Sequence, residues 1–283
     1  MLLRVMTYNL YFGGAGRLDA IHAVVAHERP DTITFTEADD QRVVVELAGR
    51  LGMEHVWAKG SGDRHIALLS RFPIREWRIY NRPPLTQAVL VTKLLISDLH
   101  APITLYSLHL LPFLLFPFEL QRARALRALL KIIRRAPPGP HLILGDVNAI
   151  APGDRVLQHK NPARMRRVMA LQANLIFRWA IPVLLRAGYV DCYRAAHPNL
   201  YPPEHPERRP AGAQAKPALS LAEGDAAEAD GFTWWTINRT TRYDYIFADP
   251  WFAARLRACR VADDLAEARS ASDHFPVIAD FDL

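Results

Sequence analysis

The chain has 283 residues, half of them hydrophobic and 23% charged. This balance is typical of a globular protein and excludes disordered, collagen-like and coiled-coil chains. The net charge of +6 is too small to establish an anionic partner. Two cysteines, Cys192 and Cys259, cannot form a disulfide framework, and without a Cys-x-x-Cys pair they argue against a zinc site. We expect both to be small core residues.

We expect no signal peptide, because residues 1–4 lead directly into a strand-like segment. The longest uncharged run, residues 99–118, contains two histidines and three prolines, and its first half is typical of a β-strand. We therefore expect no membrane-spanning helix and a cytoplasmic protein.

Short apolar runs predict strands, and 3.6-residue periodicity predicts helices between some of them. We predict strands, in chain order, over Leu2–Tyr8, Thr32–Thr36, Ile66–Leu69, Ala88–Leu95, Ile103–Leu108, His141–Leu144, Tyr243–Phe247 and Pro276–Phe281. We predict helices over Arg17–Glu28, Gln41–Leu51, Glu119–Arg135 and roughly Met165–Ala187. This mixture indicates a layered α/β protein and not a strict βαβ repeat.

Residues 198–230 differ in composition from the rest of the chain. They hold six of the 21 prolines between Pro198 and Pro217, and most of the remainder is Ala, Glu, Gly, Lys and Asp. Because strand-like sequence resumes at Phe232, we interpret 198–230 as a flexible surface insertion within one domain that spans residues 1–283.

Polar residues stand at the ends of several apolar strands, where a core position would be apolar. They are Asn9, Glu37, His109, Asp146, Asn148, Asp244, Asp273 and His274. A buried carboxylate is costly unless it is paired or binds a metal. We therefore expect these residues to converge on one cation and one anionic substrate.

Six pieces of sequence occur in a fixed order: Thr-Tyr-Asn9, Glu37, Ser-Leu-His109, Gly-Asp146-Val-Asn148, Arg-Tyr-Asp244-Tyr-Ile and Ser-Asp273-His274-Phe-Pro. Together they resemble the endonuclease/exonuclease/phosphatase superfamily, which includes deoxyribonuclease I, abasic-site endonucleases, neutral sphingomyelinases and inositol polyphosphate phosphatases. The resemblance covers nearly the whole chain. It implies a four-layer α/β/β/α sandwich of two packed mixed β-sheets with outer helices, and an active site at one rim.

The resemblance also implies a metal site. Glu37 and Asn9 would supply the hard oxygen ligands that suit Mg²⁺ or Mn²⁺, and Asp273 would bind or orient metal-bound water. Taken singly, Asn9 would equally fit a turn before Gly13, and Glu37 the start of the next helix. Asp273 and the following histidine would fit a turn before a proline.

The catalytic roles follow from the same resemblance. Asp244 would fix the tautomer of His274 and raise its pKa, so that the imidazolium stabilises charge on a phosphoryl oxygen. Asp146 would orient or deprotonate the attacking water, and Asn148 would donate to a phosphate oxygen. His109 would donate to the substrate or protonate the leaving oxygen. Abasic-site enzymes generally lack a histidine at this position, so His109 points away from abasic-site repair; alone it would fit a hydrogen-bonded histidine at a strand end.

Two segments bear on the substrate. Residues 110–118 are almost wholly apolar and would face a lipid or, as we prefer, pack on the apolar side of Met165–Ala187. Residues 155–190 contain seven Arg and Lys side chains and no Asp or Glu, which suits either a grip on substrate phosphates or a solvated helix. A basic row on Glu119–Arg135 we interpret as a solvated outer face.

The sequence therefore predicts a Mg²⁺- or Mn²⁺-dependent phosphoester hydrolase that uses in-line attack by an activated water. A phosphodiesterase acting on a nucleic acid or a phospholipid headgroup is our first hypothesis. A phosphomonoesterase for a sugar or inositol phosphate is the second. An inactive scaffold that binds nucleic acid through residues 155–190 is the hypothesis of another class.

Overall fold

In the described part of the chain, two mixed β-sheets of six strands each form the centre of the fold. The computed structural model describes residues 1–60, 64–85, 87–97, 99, 101–200 and 231–283. The first sheet contains β1 (Leu2–Asn9), β2 (Thr32–Thr36), β3 (Glu54–Ala58), β4 (Ile66–Ser70), β11 (Leu256–Val261) and β12 (Val277–Asp282). The second contains β5 (Ile74–Tyr80), β6 (Val89–Leu94), β7 (Ile103–His109), β8 (His141–Asp146), β9 (Val190–Asp191) and β10 (Asp244–Ala248).

Each sheet has one parallel pair of strands among antiparallel neighbours. The first sheet has the order β11-β12-β1-β2-β4-β3, and β1 and β2 run parallel. The second has the order β5-β6-β7-β8-β10-β9, and β7 and β8 run parallel. The carboxyl ends of both parallel pairs carry residues that the sequence singled out.

Helices pack on the outer faces of both sheets, and two short ones, Cys192–Ala196 and Pro250–Ala253, contribute side chains to the cluster between the sheets. The helices are α1 (Leu18–Glu28), α2 (Gln41–Leu51), α3 (Phe116–Arg135), α4 (Ala163–Ala170), α5 (Ile181–Leu185), α6 (Cys192–Ala196), α7 (Pro250–Ala253) and α8 (Ala268–Ala271). Short 3₁₀ turns cover Phe12–Gly14 and Gln158–Lys160. In the described part of the chain, no helix combines the length and the apolarity that crossing a membrane requires.

Three buried clusters define the layers. Between the sheets, Leu3 and Val5 of β1 lie in one cluster with Leu105 of β7 and Leu142 of β8. The other face of the first sheet packs on α1 and α2, and the other face of the second sheet packs on α3 and α5. Because side chains alternate between the faces of a strand, each central strand is apolar on both sides. The predicted four-layer sandwich is confirmed, and both cysteines are buried and free, as expected.

One predicted helix is wrong. Residues 165–187 do not form a single helix but contain the end of α4, a turn and α5. Ala173 and Asn174 adopt positive φ angles of 54° and 57°, which interrupt a right-handed helix. Pro182 then stands in the first turn of α5, where its missing N–H costs nothing.

The sequence also missed β3, β5, β9 and β11. Three of them, β3, β5 and β11, are edge strands and carry charged side chains. These charges protect an edge from pairing with another strand, but they obscure the alternation of apolar and polar residues. The fourth, β9, has only two residues. Most of the proposed insertion, residues 201–230, lies outside the described residues, so that prediction and the single domain over 1–283 stay predictions.

Candidate active site

The alternation that fills the core also carries polar side chains to one rim. On β1, Leu3 and Val5 face the second sheet, and Asn9 has the same parity at the end of the strand. On β8, Asp146 continues the inner row of Leu142 and Leu144 in the same way. The strands of the two sheets therefore end with polar groups pointed at each other across the sandwich.

Two carboxyl groups lie side by side on neighbouring strands of the second sheet. Asp146 of β8 and Asp244 of β10 are register partners in an antiparallel pair, and both are buried. Asp146 Oδ1 accepts a hydrogen bond from the Asn148 N–H at 2.9 Å, and its Oδ2 accepts one from Asn9 Nδ2 at 3.0 Å. Burial and the neighbouring Asp244 charge raise the pKa of Asp146 to about 8. Without a bound cation, Asp146 therefore holds a proton near neutral pH.

His274 supplies a positive charge beside the carboxylates. Its Nδ1 lies 2.7 Å from Asp244 Oδ2, and both groups are buried. Burial alone would lower the pKa of His274, but the Asp244 carboxylate raises it to about 10. The ring is therefore an imidazolium near neutral pH. Its Nε2 lies 4.0 Å from Asp273 Oδ1, which is beyond hydrogen-bond distance.

Glu37 enters the site from the first sheet, just after β2. Its backbone has a φ of 49°, an uncommon conformation for a glutamate and one that surrounding bonds must hold. The Phe12 N–H donates to Oε2 at 2.9 Å, and Arg64 Nη1 donates to Oε1 at 3.3 Å. Although burial acts to raise the pKa of Glu37, the surrounding positive groups and this N–H lower it, so the side chain is a carboxylate.

His109 is buried at the end of β7, with Nε2 3.6 Å from Asp146 Oδ2 and 3.4 Å from Arg64 Nη1. Its Nδ1 is buried without a hydrogen-bond partner among the described atoms. Burial lowers the pKa of His109 to about 3, so the ring is neutral near pH 7. A neutral imidazole suits a hydrogen-bond donor to substrate better than a proton source for a leaving group.

Asp273 and Asn148 complete the predicted set. Asp273 Oδ2 accepts from the Trp234 indole at 3.2 Å, while Oδ1 is buried and has no partner in the described structure. Asn148, with a φ of 52°, donates from Nδ2 to the Leu110 carbonyl at 3.1 Å, which engages one of its two amide hydrogens. The structure thus brings all eight predicted residues to one rim.

Asn9 contacts carboxylates of both sheets, and its role as a metal ligand stays a prediction. Its Nδ2 donates to Asp146 at 3.0 Å and lies 3.4 Å from Glu37 Oε1, while its Oδ1 accepts from the Tyr11 N–H at 2.8 Å. The amide nitrogen, and not the amide oxygen, faces the carboxylates. In this arrangement Asn9 joins the carboxylates of the two sheets.

Sequence reasoning missed two contributors. Arg64 bridges Glu37 and His109, and Trp234 holds Asp273. The arginine stands between Asp63 and His65 just before a strand, which alone resembles a solvated loop. Trp234 stands next to Trp235, a pair that by sequence alone would fit either stacking on a base or packing in the core. The roles of Arg64 and Trp234 follow from contacts between residues distant in sequence, which no local pattern reveals.

The donor set fits a divalent cation. Ligand atoms of Asp146, Asp244 and His274 lie within 4.8 Å of one another. The buried Oδ1 atoms of Asp244 and Asp273 have no hydrogen-bond partner in the described structure, and burial raises the pKa of Asp273. Hard carboxylate oxygens without partners are what Mg²⁺ and Mn²⁺ prefer. Asp146, Asp244 and Asp273 are therefore the residues that would hold the ion. Both oxygens of Glu37 have hydrogen-bond partners, and its role as a metal ligand stays a prediction.

The family model described as the endonuclease/exonuclease/phosphatase family matches residues 6–274, which include every site residue. The chain belongs to this family. Its members hydrolyse phosphoester bonds, so the prediction of a phosphoester hydrolase is confirmed. No curated protein sequence matches the chain at a significant level.

Solved structures share the fold at low sequence identity. The 3′ phosphatase NExo from Neisseria, bound to a product DNA hairpin, is 19% identical over 99% of this chain and 100% of its own, with a TM-score of 0.66. An AP endonuclease from Archaeoglobus fulgidus is 19% identical over 99% and 100%, with a TM-score of 0.65. TDP2 from Caenorhabditis elegans is 16% identical over 100% and 75%, with a TM-score of 0.60.

Proposed function

We propose that the chain is a phosphodiesterase that depends on Mg²⁺ or Mn²⁺. The observation that carries this proposal is the buried group of Asp146, Asp244 and His274, in which a carboxylate oxygen has no hydrogen-bond partner within the described residues. A bound divalent ion would neutralise these carboxylates and polarise a phosphoryl oxygen.

The protein's own groups then have distinct roles. Asp146, fixed by the Asn148 N–H and by Asn9, orients the water that attacks phosphorus in line. The His274 imidazolium, held by Asp244, stabilises the negative charge that develops on an equatorial oxygen. Asn148 and neutral His109 donate hydrogen bonds to the substrate.

The charge of the site favours a diester over a monoester. Four carboxyl groups line the rim, and among the described residues the cations in contact with them are His274 and half-buried Arg64. A phosphodiester carries one negative charge and a monoester dianion carries two, so the diester needs less positive charge for binding than the monoester does. The Neisseria protein NExo is described both as a 3′ phosphatase and as a 3′–5′ exonuclease, so DNA with a 3′ phosphate and DNA with a free 3′ hydroxyl are the first substrates to compare.

The decisive measurement is hydrolysis of bis-p-nitrophenyl phosphate with Mg²⁺, with Mn²⁺ and with EDTA. We expect metal-dependent activity in the wild type and a loss of about a hundredfold or more in His274→Ala. His55→Ala, at an exposed position of β3, is the matched control and should retain activity. Equal activity in wild type and His274→Ala, or none with either metal, would refute the proposal.

A substrate series separates the alternatives. DNA, RNA, phospholipid and sugar phosphates are compared with p-nitrophenyl phosphate, and faster turnover of the monoesters would favour the phosphomonoesterase hypothesis. An inactive scaffold would show no turnover but would bind nucleic acid in a salt-dependent way that His274→Ala leaves unchanged.

A further inference from the structure

A cluster of apolar side chains is exposed beside the active rim. The rings of Phe116, Phe177 and Trp179 contact each other with centroids 5.3 to 5.4 Å apart, and Phe116 and Trp179 remain 43% and 45% exposed. Leu171 and Leu175 nearby are 82% and 57% exposed. Exposed apolar patches of this kind mark interaction surfaces in proteins. We call Phe116, Leu171, Leu175, Phe177 and Trp179 the apolar tip.

Gln172 fixes the apolar tip as one surface. Its Oε1 accepts from the Phe116 N–H at 3.1 Å, and its Nε2 donates to the carbonyls of Leu114 and Leu175 at 2.8 and 2.7 Å. The segment before α3 and the turn after α4 are thereby joined. This agrees with the expectation that residues 110–118 pack on the following apolar segment, but the packing leaves the tip uncovered.

The tip lies close to the catalytic groups. Residues 110–115 connect His109 at the end of β7 to the start of α3. Leu110 accepts a hydrogen bond from Asn148, and Leu114 lies in a buried cluster with Tyr243. A surface that contacted the tip would therefore lie beside the mouth of the site.

Basic side chains extend along α3 away from the tip. One cavity of about 800 Å³ has Arg82, Arg124, Arg127, Lys131 and Arg135 in its lining, together with apolar side chains. A second, of about 160 Å³, shares Arg127 and adds Arg178, Arg186 and Trp179 of the tip. As far as the described residues extend, neither lining contains an Asp or Glu. The row on α3 is thus one wall of a basic face that continues to the apolar tip.

We propose that the apolar tip and this basic face dock the protein on an anionic phospholipid bilayer. Aromatic and leucine side chains beside Arg and Lys match the interface, where apolar groups enter the acyl boundary and cations meet lipid phosphates. Trp179 is suited to this depth because its ring is apolar and its N–H is polar.

A nucleic acid would use only half of this surface. Phosphates would pair with the arginines, and bases would stack on aromatic rings, but Leu171 and Leu175 offer no flat face to a base. The two most exposed tip residues are these leucines. Their exposure favours the bilayer as the occupant.

The test is co-flotation of the full chain with vesicles of phosphatidylcholine alone or mixed with phosphatidylglycerol. We expect binding to the mixed vesicles only. Leu171→Ser combined with Leu175→Ser, and separately Arg127→Glu, should each weaken binding by about tenfold or more. Val45→Ser on α2 and Arg257→Glu on β11, both on exposed positions of the first sheet's side, are the matched controls and should bind as the wild type does.

Docking is independent of hydrolysis, so His274→Ala should float with vesicles as the wild type does. Circular dichroism melts check that each variant is folded. Absence of binding to anionic vesicles, or binding that the leucine variant leaves unchanged and duplex DNA displaces, would overturn the proposal in favour of a polyanion site. A wild-type dimer that the leucine variant converts to a monomer, without vesicle binding, would overturn it in favour of a second copy.

Discussion

Two buried groups of charged side chains lie two residues apart on the same segment, and their charges are balanced differently. Arg242 donates four hydrogen bonds of 2.6 to 3.0 Å to Asp154 and Asp191. Asp244 has one oxygen bonded to His274 and the other buried without a partner in the described structure. The first group is satisfied by the protein itself, whereas the second is not.

The difference separates support from chemistry. A buried ion pair with complete hydrogen bonding fixes the chain but has no capacity left for a ligand. Carboxylates held close together without enough positive charge repel each other. A cation or a reacting group that binds there relieves this repulsion. Buried charged groups that lack hydrogen-bond partners therefore identify the site, whereas burial or charge alone does not.

The largest effect is expected at the unsatisfied group. Asp146→Asn keeps the shape of the side chain but removes the charge that orients the water, so activity should fall by about a thousandfold or more. Folding stability should stay equal or rise, because a carboxylate whose pKa is about 8 is already disfavoured in the apo protein. Hydrolysis rates and thermal melts in EDTA measure both.

Metal addition sharpens this result. Mg²⁺ or Mn²⁺ at a hundred times its Kd should stabilise the wild type by about 2.7 kcal/mol and Asp146→Asn much less. A variant that keeps its activity, or that melts far below the wild type in EDTA, would show that Asp146 acts as a structural group.

The satisfied group should respond in the opposite way. Arg242→Met leaves Asp154 and Asp191 as buried charges without their main partner, so the free energy of unfolding should fall by about 3–5 kcal/mol. The melting temperature should then drop by about 10 °C, while the activity per folded molecule changes little. Urea titration and thermal melts test the change.

Arg42→Met is the matched control, because the Arg42 side chain is 91% exposed and its replacement should leave the free energy of unfolding close to that of the wild type. A loss of activity without a loss of stability in Arg242→Met would contradict the assignment of the Arg242 group to stability and the Asp244 group to catalysis.

Arg64 is intermediate in character between the two groups, because it contacts site residues but is partly exposed. Its replacement should change activity less than Asp146→Asn does and stability less than Arg242→Met does. Its guanidinium contacts Glu37 and His109 and is 32% exposed. Arg64→Ala should lower kcat/KM by about tenfold and the free energy of unfolding by less than about 1 kcal/mol. Arg64→Lys, which keeps the charge without the planar fork, should fall between them. A change confined to stability would contradict a role at the substrate.

Much of the fold could be predicted because the central strands are short, apolar and bounded by turns. Helix α2 begins and ends at the predicted residues, with Asp40 capping it and Gly52 closing it in a left-handed conformation. The helix over 165–187 failed because apolar periodicity continues through Asn174, whose positive φ depends on tertiary contacts.

The residues of the site could be predicted from the sequence, but their contacts with one another could not. Strand parity places Asn9 and Asp146 on inner faces, and the ordered motifs identify the family. Which end of the Asn9 amide faces the carboxylates, and the bridge from Arg64 to His109, arise from side chains that meet only after both sheets pack. Local sequence does not encode such contacts.

The position of β12 has a consequence for synthesis on the ribosome. The last strand of the chain inserts between β11 and β1 in the first sheet, and His274 stands three residues before it. Until this segment emerges, β1 has an open edge on one side and Asp244 has no imidazole partner. The nascent chain therefore acquires its catalytic group and closes its first sheet in the same late step, so an incompletely synthesised chain holds no assembled site.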